Sequence, residues 1–172
     1  MRFMPPTQSR QTVAVMASLL AFLGACSPAG SPGPAGTGNA AVIIVGPDHS
    51  SSVTCVAFQG AEASGMDLLE AAGIPLTLDE RNPMGALVCA IDGHGCAYPA
   101  DDCLCMCEGL GDCAYWASFV RTPSGSWTYA GQGVSSQPLR SGDLYAWVWL
   151  PTAANTQALQ WLPTGNLKSL CP

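Results

Sequence analysis

Apolar residues in this 172-residue chain gather in short runs separated by glycine, proline and small polar residues, a pattern of strands and turns. Residues 41–45 (AVIIV) form a β-branched run closed by Gly46, Pro47 and Asp48, and residues 53–58 (VTCVAF) form a second, so the two predict a hairpin. Further strands are expected over 86–91, which lead into a turn at Asp92-Gly93, over 114–120, and over 127–129. The turn at 138–143 opens into 144–150 (LYAWVWL), apolar on both faces and therefore a central strand. Alternation puts Tyr145, Trp147 and Trp149 on one face of it, so at least two of them belong to the core. Helical signals are fewer. Ser64 followed by Asp67 resembles a capping box, and Leu68, Leu69, Ala71 and Ala72 follow before Gly73 and Pro75 stop the chain, a short helix from about Gly65 to Ala72. A weaker helical patch covers 156–162. About six strands with one short helix give an α+β fold.

The N-terminus breaks this pattern. Arg2 and Arg10 precede an apolar stretch of 11 residues at 12–22, long enough for a signal peptide but too short to span a bilayer. It ends in Leu23-Gly24-Ala25-Cys26, which resembles a bacterial lipobox: small residues let a peptidase reach the backbone, and the cysteine sulfur carries the lipid. Residues 1–25 are therefore expected to be a lipoprotein signal peptide. A Gly/Pro/Ser-rich tether over 26–40 has few side chains to bury. A folded domain over 41–150 and a C-terminal tail over 151–172 complete the expected organisation. The resulting localisation is the extracytoplasmic face of a bacterial membrane, held by lipid on Cys26.

Charge narrows the partners. Beyond Cys26, Arg81, Arg121, Arg140 and Lys168 face all twelve acidic residues, a net charge of −8. No basic patch exists to hold nucleic acid or an anionic bilayer. Charged residues are only 10% of the chain, which suits an extracellular module. Setting Cys26 aside leaves eight cysteines, Cys55, Cys89, Cys96, Cys103, Cys105, Cys107, Cys113 and Cys171. In an oxidising compartment they make up to four disulfides, with the connectivity left open. His94 with Cys96, Cys103, Cys105 and Cys107 could instead hold a thiophilic metal, but no C-x-x-C pair occurs and disulfides are the preferred reading, so no metal is expected.

The helix at 64–73 (SGMDLLEAAG), the strand and turn at 88–93 (VCAIDG), Tyr115-Trp116 and the turn at 138–143 (PLRSGD) running into Trp147-Val148-Trp149 occur in an order of their own. Together they resemble the transcobalamin-like C-terminal domain, a bacterial domain of unknown function in the soluble ligand-binding β-grasp group. Cys103-Leu104-Cys105-Met106-Cys107 is similar to a cysteine-rich, lipid-anchored branch of it. The resemblance covers roughly 41–150. It implies a β-grasp-like mixed sheet with a helix packed across it, and a small-molecule ligand that is by analogy a corrinoid; no other cofactor is implied.

Aromatic side chains in the C-terminal half suit the face of a planar ligand. Trp127 and Tyr129, beside the polar loop Gly131-Gln132-Gly133, are the stronger candidates, with Trp116, Gln132 and Ser135 as further ligand contacts. No G-x-S-x-G elbow or H-E-x-x-H pair is present, and the neighbouring carboxylates Asp101 and Asp102 would point apart on a strand. No catalytic residue is named and the chain is not expected to be an enzyme. The leading expectation is a lipid-anchored module presenting a corrinoid or related micronutrient to a membrane transporter. A structural or adhesive envelope protein is the alternative, and a metal-handling protein or enzyme built on the cysteine cluster is the third. A pocket between the Trp127 hairpin and the cysteine-rich loop separates the first two.

Overall fold

A computed structural model describes residues 36–108, 112–151 and 157–172 of the chain. The signal peptide, Cys26 and most of the tether lie outside the described residues. Strand β1 (Thr37–Val45) pairs antiparallel with β2 (Ser51–Gln59), giving the expected hairpin, which His49 helps to close in a left-handed conformation. β1 begins four residues before the β-branched run, so 37–40 are sheet rather than tether. The reason is packing from across the hairpin: the Phe58 ring lies where a side chain on Gly38 would stand, Ala40 is buried, and the Asn39 N–H donates to the Ser141 hydroxyl.

After β3 (Glu62–Ser64) comes α1 (Gly65–Ala71). Its capping box is complete: the Asp67 N–H donates to the Ser64 hydroxyl oxygen, and the Asp67 carboxylate accepts from the Ser64 N–H. Strands β4 (Leu76–Asp79), β5 (Leu87–Ile91) and β6 (His94–Gly95) make a small sheet of their own, with Asp92 and Gly93 at positive φ in the β5–β6 turn. Then follow β7 (Cys107–Glu108), β8 (Asp112–Arg121), β9 (Thr128–Tyr129), β10 (Pro138–Arg140) and β11 (Leu144–Pro151), and the short helical turns α2 (Ala158–Trp161) and α3 (Leu167–Leu170).

The main sheet runs β2-β1-β11-β8-β7, with β9 also on β8. β1 and β11 are parallel and the other pairs antiparallel, so the sheet is mixed. β11 is central, as its two-sided hydrophobicity requires. Tyr145, Trp147 and Trp149 enter one core with Val42, Val56 and Phe58, closed by Leu68 and Leu69 of α1. Each fully buried leucine contributes about 1.5–3 kcal/mol relative to exposure, so those two side chains suffice to dock a helix too short to persist alone. The fold is thus α+β: a mixed sheet crossed by a short helix, with a disulfide-rich loop, the β-grasp-like arrangement expected.

The second face of the sheet carries Leu144, Ala146, Val148 and Leu150 with Ala41, Ile43 and Val45. The C-terminal segment covers it, through Ala158, Leu162, Leu167 and Leu170, and the Cys55–Cys171 disulfide fastens its end to β2. The tail therefore completes the second core rather than hanging free of it.

Candidate functional site

The outer edge of β8 is where the sheet is incomplete. At one end Cys107 and Glu108 of β7 pair with Cys113 and Asp112, and the Ala114 N–H donates to the Met106 carbonyl at 3.1 Å. At the other, Tyr129 and Thr128 of β9 pair with Phe119 and Val120, and the Ala130 N–H donates to the Ser118 carbonyl at 2.9 Å. Between these two clamps, at Trp116, opens a cavity of about 440 Å³. That volume lies in the range that encloses a small ligand, roughly 300–1,000 Å³.

Three segments wall it. The first is β8 itself, through Trp116 and Ser118, with Trp147 of β11 behind them. The second is the loop after β9, with Tyr129 and Gln132. The third is 82–88, the approach to β5, which two main-chain bonds tie to that loop: Gly133 N–H to Met84 carbonyl at 2.8 Å and Val134 N–H to Ala86 carbonyl at 2.9 Å. Gly85 sits at φ 106°, and Gly133 lies so close to its backbone that a Cβ on Gly133 would overlap it. Upstream, Asp79 and Arg81 fix the turn that delivers this wall. The Arg81 Nε and Nη2 donate to the two Asp79 oxygens, each at 2.8 Å, and hold that carboxyl well below the usual range.

The cysteine-rich loop forms the rim. Cys89–Cys103 and Cys96–Cys105 staple it to β5 and to the chain following β6, and Cys107–Cys113 closes the β7–β8 turn. With Cys55–Cys171, all eight cysteines beyond Cys26 are paired. The thiolates that a metal would need are thus consumed, and the described residues contain no cluster of three or more His, Cys, Asp or Glu side chains placed to hold an ion. Four disulfides suit an oxidising, extracytoplasmic environment. No helix among the described residues is long and apolar enough to cross a membrane.

The mouth is apolar, and among the described residues its lining carries no charged side chain. Met84 (62% exposed), Leu104 (44%) and Tyr129 (57%) meet there, half of the large hydrophobic side chains that the described residues leave exposed. Partial burial beside Tyr115 pushes the Tyr129 phenol up to about 12, so it stays protonated and can donate a hydrogen bond. In the wall, Trp147 is only 4% exposed and its indole N–H has no hydrogen-bond partner. The hydroxyl of Tyr145 is equally buried and unpartnered; Ser118 and Trp147 lie near enough to act on it, but outside hydrogen-bond geometry. Buried polar groups left without a partner cost about 1–3 kcal/mol each, and of these two side chains it is Trp147 that lines the cavity.

Of the five residues expected to contact a ligand, Trp116, Tyr129 and Gln132 line this cavity and two do not. Trp127 is turned to the other side of the sheet, where its indole N–H donates to the Pro163 carbonyl at 3.1 Å and Arg121 lies over its ring. Trp127 lies just before β9, outside its ladder, and these contacts with Pro163 and Arg121 set its side chain against the second core. Ser135 is also outside: its hydroxyl accepts the Ala86 N–H at 2.9 Å and braces the wall from behind. Sequence reasoning missed Met84, Leu104, Ser118 and Trp147. Trp147 is one of the three aromatics of which at least two are expected in the core, and it is core on one side and cavity on the other.

No protein-family model matches the chain, and no curated protein does. Solved structures do match the chain. A protein from Ruminococcus gnavus, provisionally described as a metal binding protein, is 13% identical with a TM-score of 0.46. The match covers 66% of this chain and 97% of that one.

Proposed function

We propose that this protein is a binding module outside the cytoplasm that takes an uncharged small molecule into the cavity at the edge of β8. The supporting observation is the meeting of an apolar mouth at Met84, Leu104 and Tyr129 with a buried, unpartnered Trp147 indole N–H in the wall. An open cavity between β9 and the cysteine-rich loop favours a ligand over a flat protein-contact surface, which would have been filled. A corrinoid or related micronutrient remains the ligand suggested by the resemblance to the transcobalamin-like domain. At about 440 Å³ the cavity would admit one edge of such a macrocycle, with the remainder lying across Tyr129. Lipid on Cys26 would keep the module at the membrane, where it could pass its ligand to a transporter.

Titration of the purified protein with cobalamin, cobinamide and haem, followed by tryptophan fluorescence, tests the ligand. Saturable quenching that is lost in Trp147→Phe and reduced in Tyr129→Ala is expected. Quenching unaffected by either substitution would place the ligand elsewhere. The anchor is tested separately: Cys26→Ser should move the protein from the membrane fraction to the soluble one and abolish its labelling by palmitate.

A further inference from the structure

β9 and β7 run in the same direction along β8, both antiparallel to it, and they lie end to end. They are two pieces of one edge strand. The Ala130 N–H bonds the Ser118 carbonyl, and the Met106 carbonyl takes the Ala114 N–H, so the missing piece spans the positions facing 115, 116 and 117. In an antiparallel ladder alternate residues turn their main-chain groups to the same neighbour. Ala114 and Ser118 bond outward, and the intervening residue of that set is Trp116. Among the described residues neither its N–H nor its carbonyl has a hydrogen-bond partner on the outer side. The cavity lies at this interruption.

We infer that the ligand is an extended peptide segment of about three residues, which completes the interrupted strand by pairing with Trp116. This rests on the reading of the cavity as a ligand site and names the chemical class. An extended chain rises about 3.3 Å per residue, so three residues match the break. The central ligand residue would donate its N–H to the Trp116 carbonyl and accept the Trp116 N–H at its own carbonyl. A residue directly opposite Trp116 puts its side chain on the same face of the sheet, the face of Trp147 and Trp149. That side chain would enter an apolar space walled by Ala86 and Val88, so a leucine-sized group suits it. The uncharged lining suits the interior of a peptide rather than a free terminus. Main-chain pairing of this kind supplies affinity, and the pocket supplies choice of side chain.

The test uses the purified, disulfide-intact protein and three probes: acetyl-Ala-Leu-Ala-amide, the same peptide N-methylated at leucine, and the ester analogue lacking the leucine N–H. Binding is followed by tryptophan fluorescence and by amide hydrogen exchange at Trp116. The expected result is saturable binding of the parent peptide, roughly tenfold weaker binding of the ester, as loss of one main-chain hydrogen bond allows, and none of the N-methyl form. Exchange of the Trp116 amide should slow when the parent peptide binds. Equal binding of parent and N-methyl forms, or unchanged exchange at Trp116, overturns the inference. Binding of cobinamide but of no peptide overturns it while leaving the small-molecule reading intact, and binding of neither removes both. Trp116 protected in the free protein and released by deleting 27–35 would make the chain's own tether the occupant and also overturn it.

Discussion

The indole N–H of Trp116 donates to the main-chain carbonyl of His94 at 2.8 Å. This bond joins the edge of the main sheet to the small sheet that carries the cysteine-rich loop. It also holds the ring against Trp149, centroid to centroid at 5.5 Å, with the His94 ring 4.5 Å from that of Trp149. The bond connects the two sheets that each supply part of the cavity wall, through Trp116 and Ser118 on one and Leu87 and Val88 on the other.

Trp116→Phe keeps an aromatic ring and removes the donor, leaving the His94 carbonyl without its indole partner. A loss of about 1–3 kcal/mol is expected, measured by urea denaturation of the oxidised protein. A variant as stable as the parent would mean that the bond contributes nothing to joining the sheets.

Gly133→Ala should be far more damaging than Gly131→Ala, although both lie in one loop. A Cβ at Gly133 overlaps the backbone of Gly85, whereas one at Gly131 meets nothing within 4 Å. We expect the first to cost about 1–3 kcal/mol through forced backbone displacement and to weaken ligand binding by separating the walls. The second should leave thermal stability unchanged. Equal melting temperatures for the two variants would contradict the close Gly85–Gly133 packing.

The Cys55–Cys171 bridge closes a loop of 116 residues, so it constrains the unfolded chain more than the other three, whose cysteines are 14, 9 and 6 residues apart. Replacing both cysteines with alanine should lower stability by about 4–5 kcal/mol on the chain-entropy account. Because that bridge also clamps the C-terminal segment over Ile43 and Val148, limited proteolysis should cut first after residue 157. Peptide mapping should find the remaining three pairs unchanged.

Asp79 predicts a specific acid sensitivity. Arg81 holds its carboxyl below the ordinary 3.8, so the folded state binds fewer protons than the unfolded state near that value. The contribution to stability is complete above pH 3.8 and is lost as pH falls toward the lower folded value. Asp79→Asn should therefore be less stable than the parent at pH 7, and the difference should narrow below pH 4, about where an ordinary carboxyl protonates. Denaturant midpoints at pH 7, 5 and 3 test this. Asp143 has the opposite sign, since burial raises its carboxyl and its ionisation opposes folding.

Much of the fold was legible because it depends on local pattern. The hairpin at Val45 and Ser51, the capped helix at Ser64, and the two-faced strand at Leu144 each announce themselves within ten residues. What escaped detection was made of weak or interrupted signals. β3 and β10 are three residues each and exist only because they pair with one another. β4 carries a register shift between Thr77 and Leu78 that breaks its alternation. The start of β1 at Thr37 was hidden by glycine and threonine, which form strand there because Phe58 and Ser141 reach them from elsewhere. In the site, Tyr129, Gln132 and Trp116 could be named from aromatic and polar clustering, but Trp127, in the same cluster, could not be excluded. Which face of a strand a residue occupies depends on register, and register is settled across strands.

By itself the sequence determined the fold class, the central place of Leu144–Leu150 and the even number of cysteines available to pair, since hydrophobic periodicity, turn chemistry and cysteine count are properties of the chain read locally. Only the tertiary structure decided which cysteines join, that the last sixteen residues complete the core, and that β8 is left open at Trp116. Those outcomes depend on contacts between segments as far apart as Cys55 and Cys171 or Gly85 and Gly133. No local window of sequence contains both partners of such a contact, so its energy has no local signature.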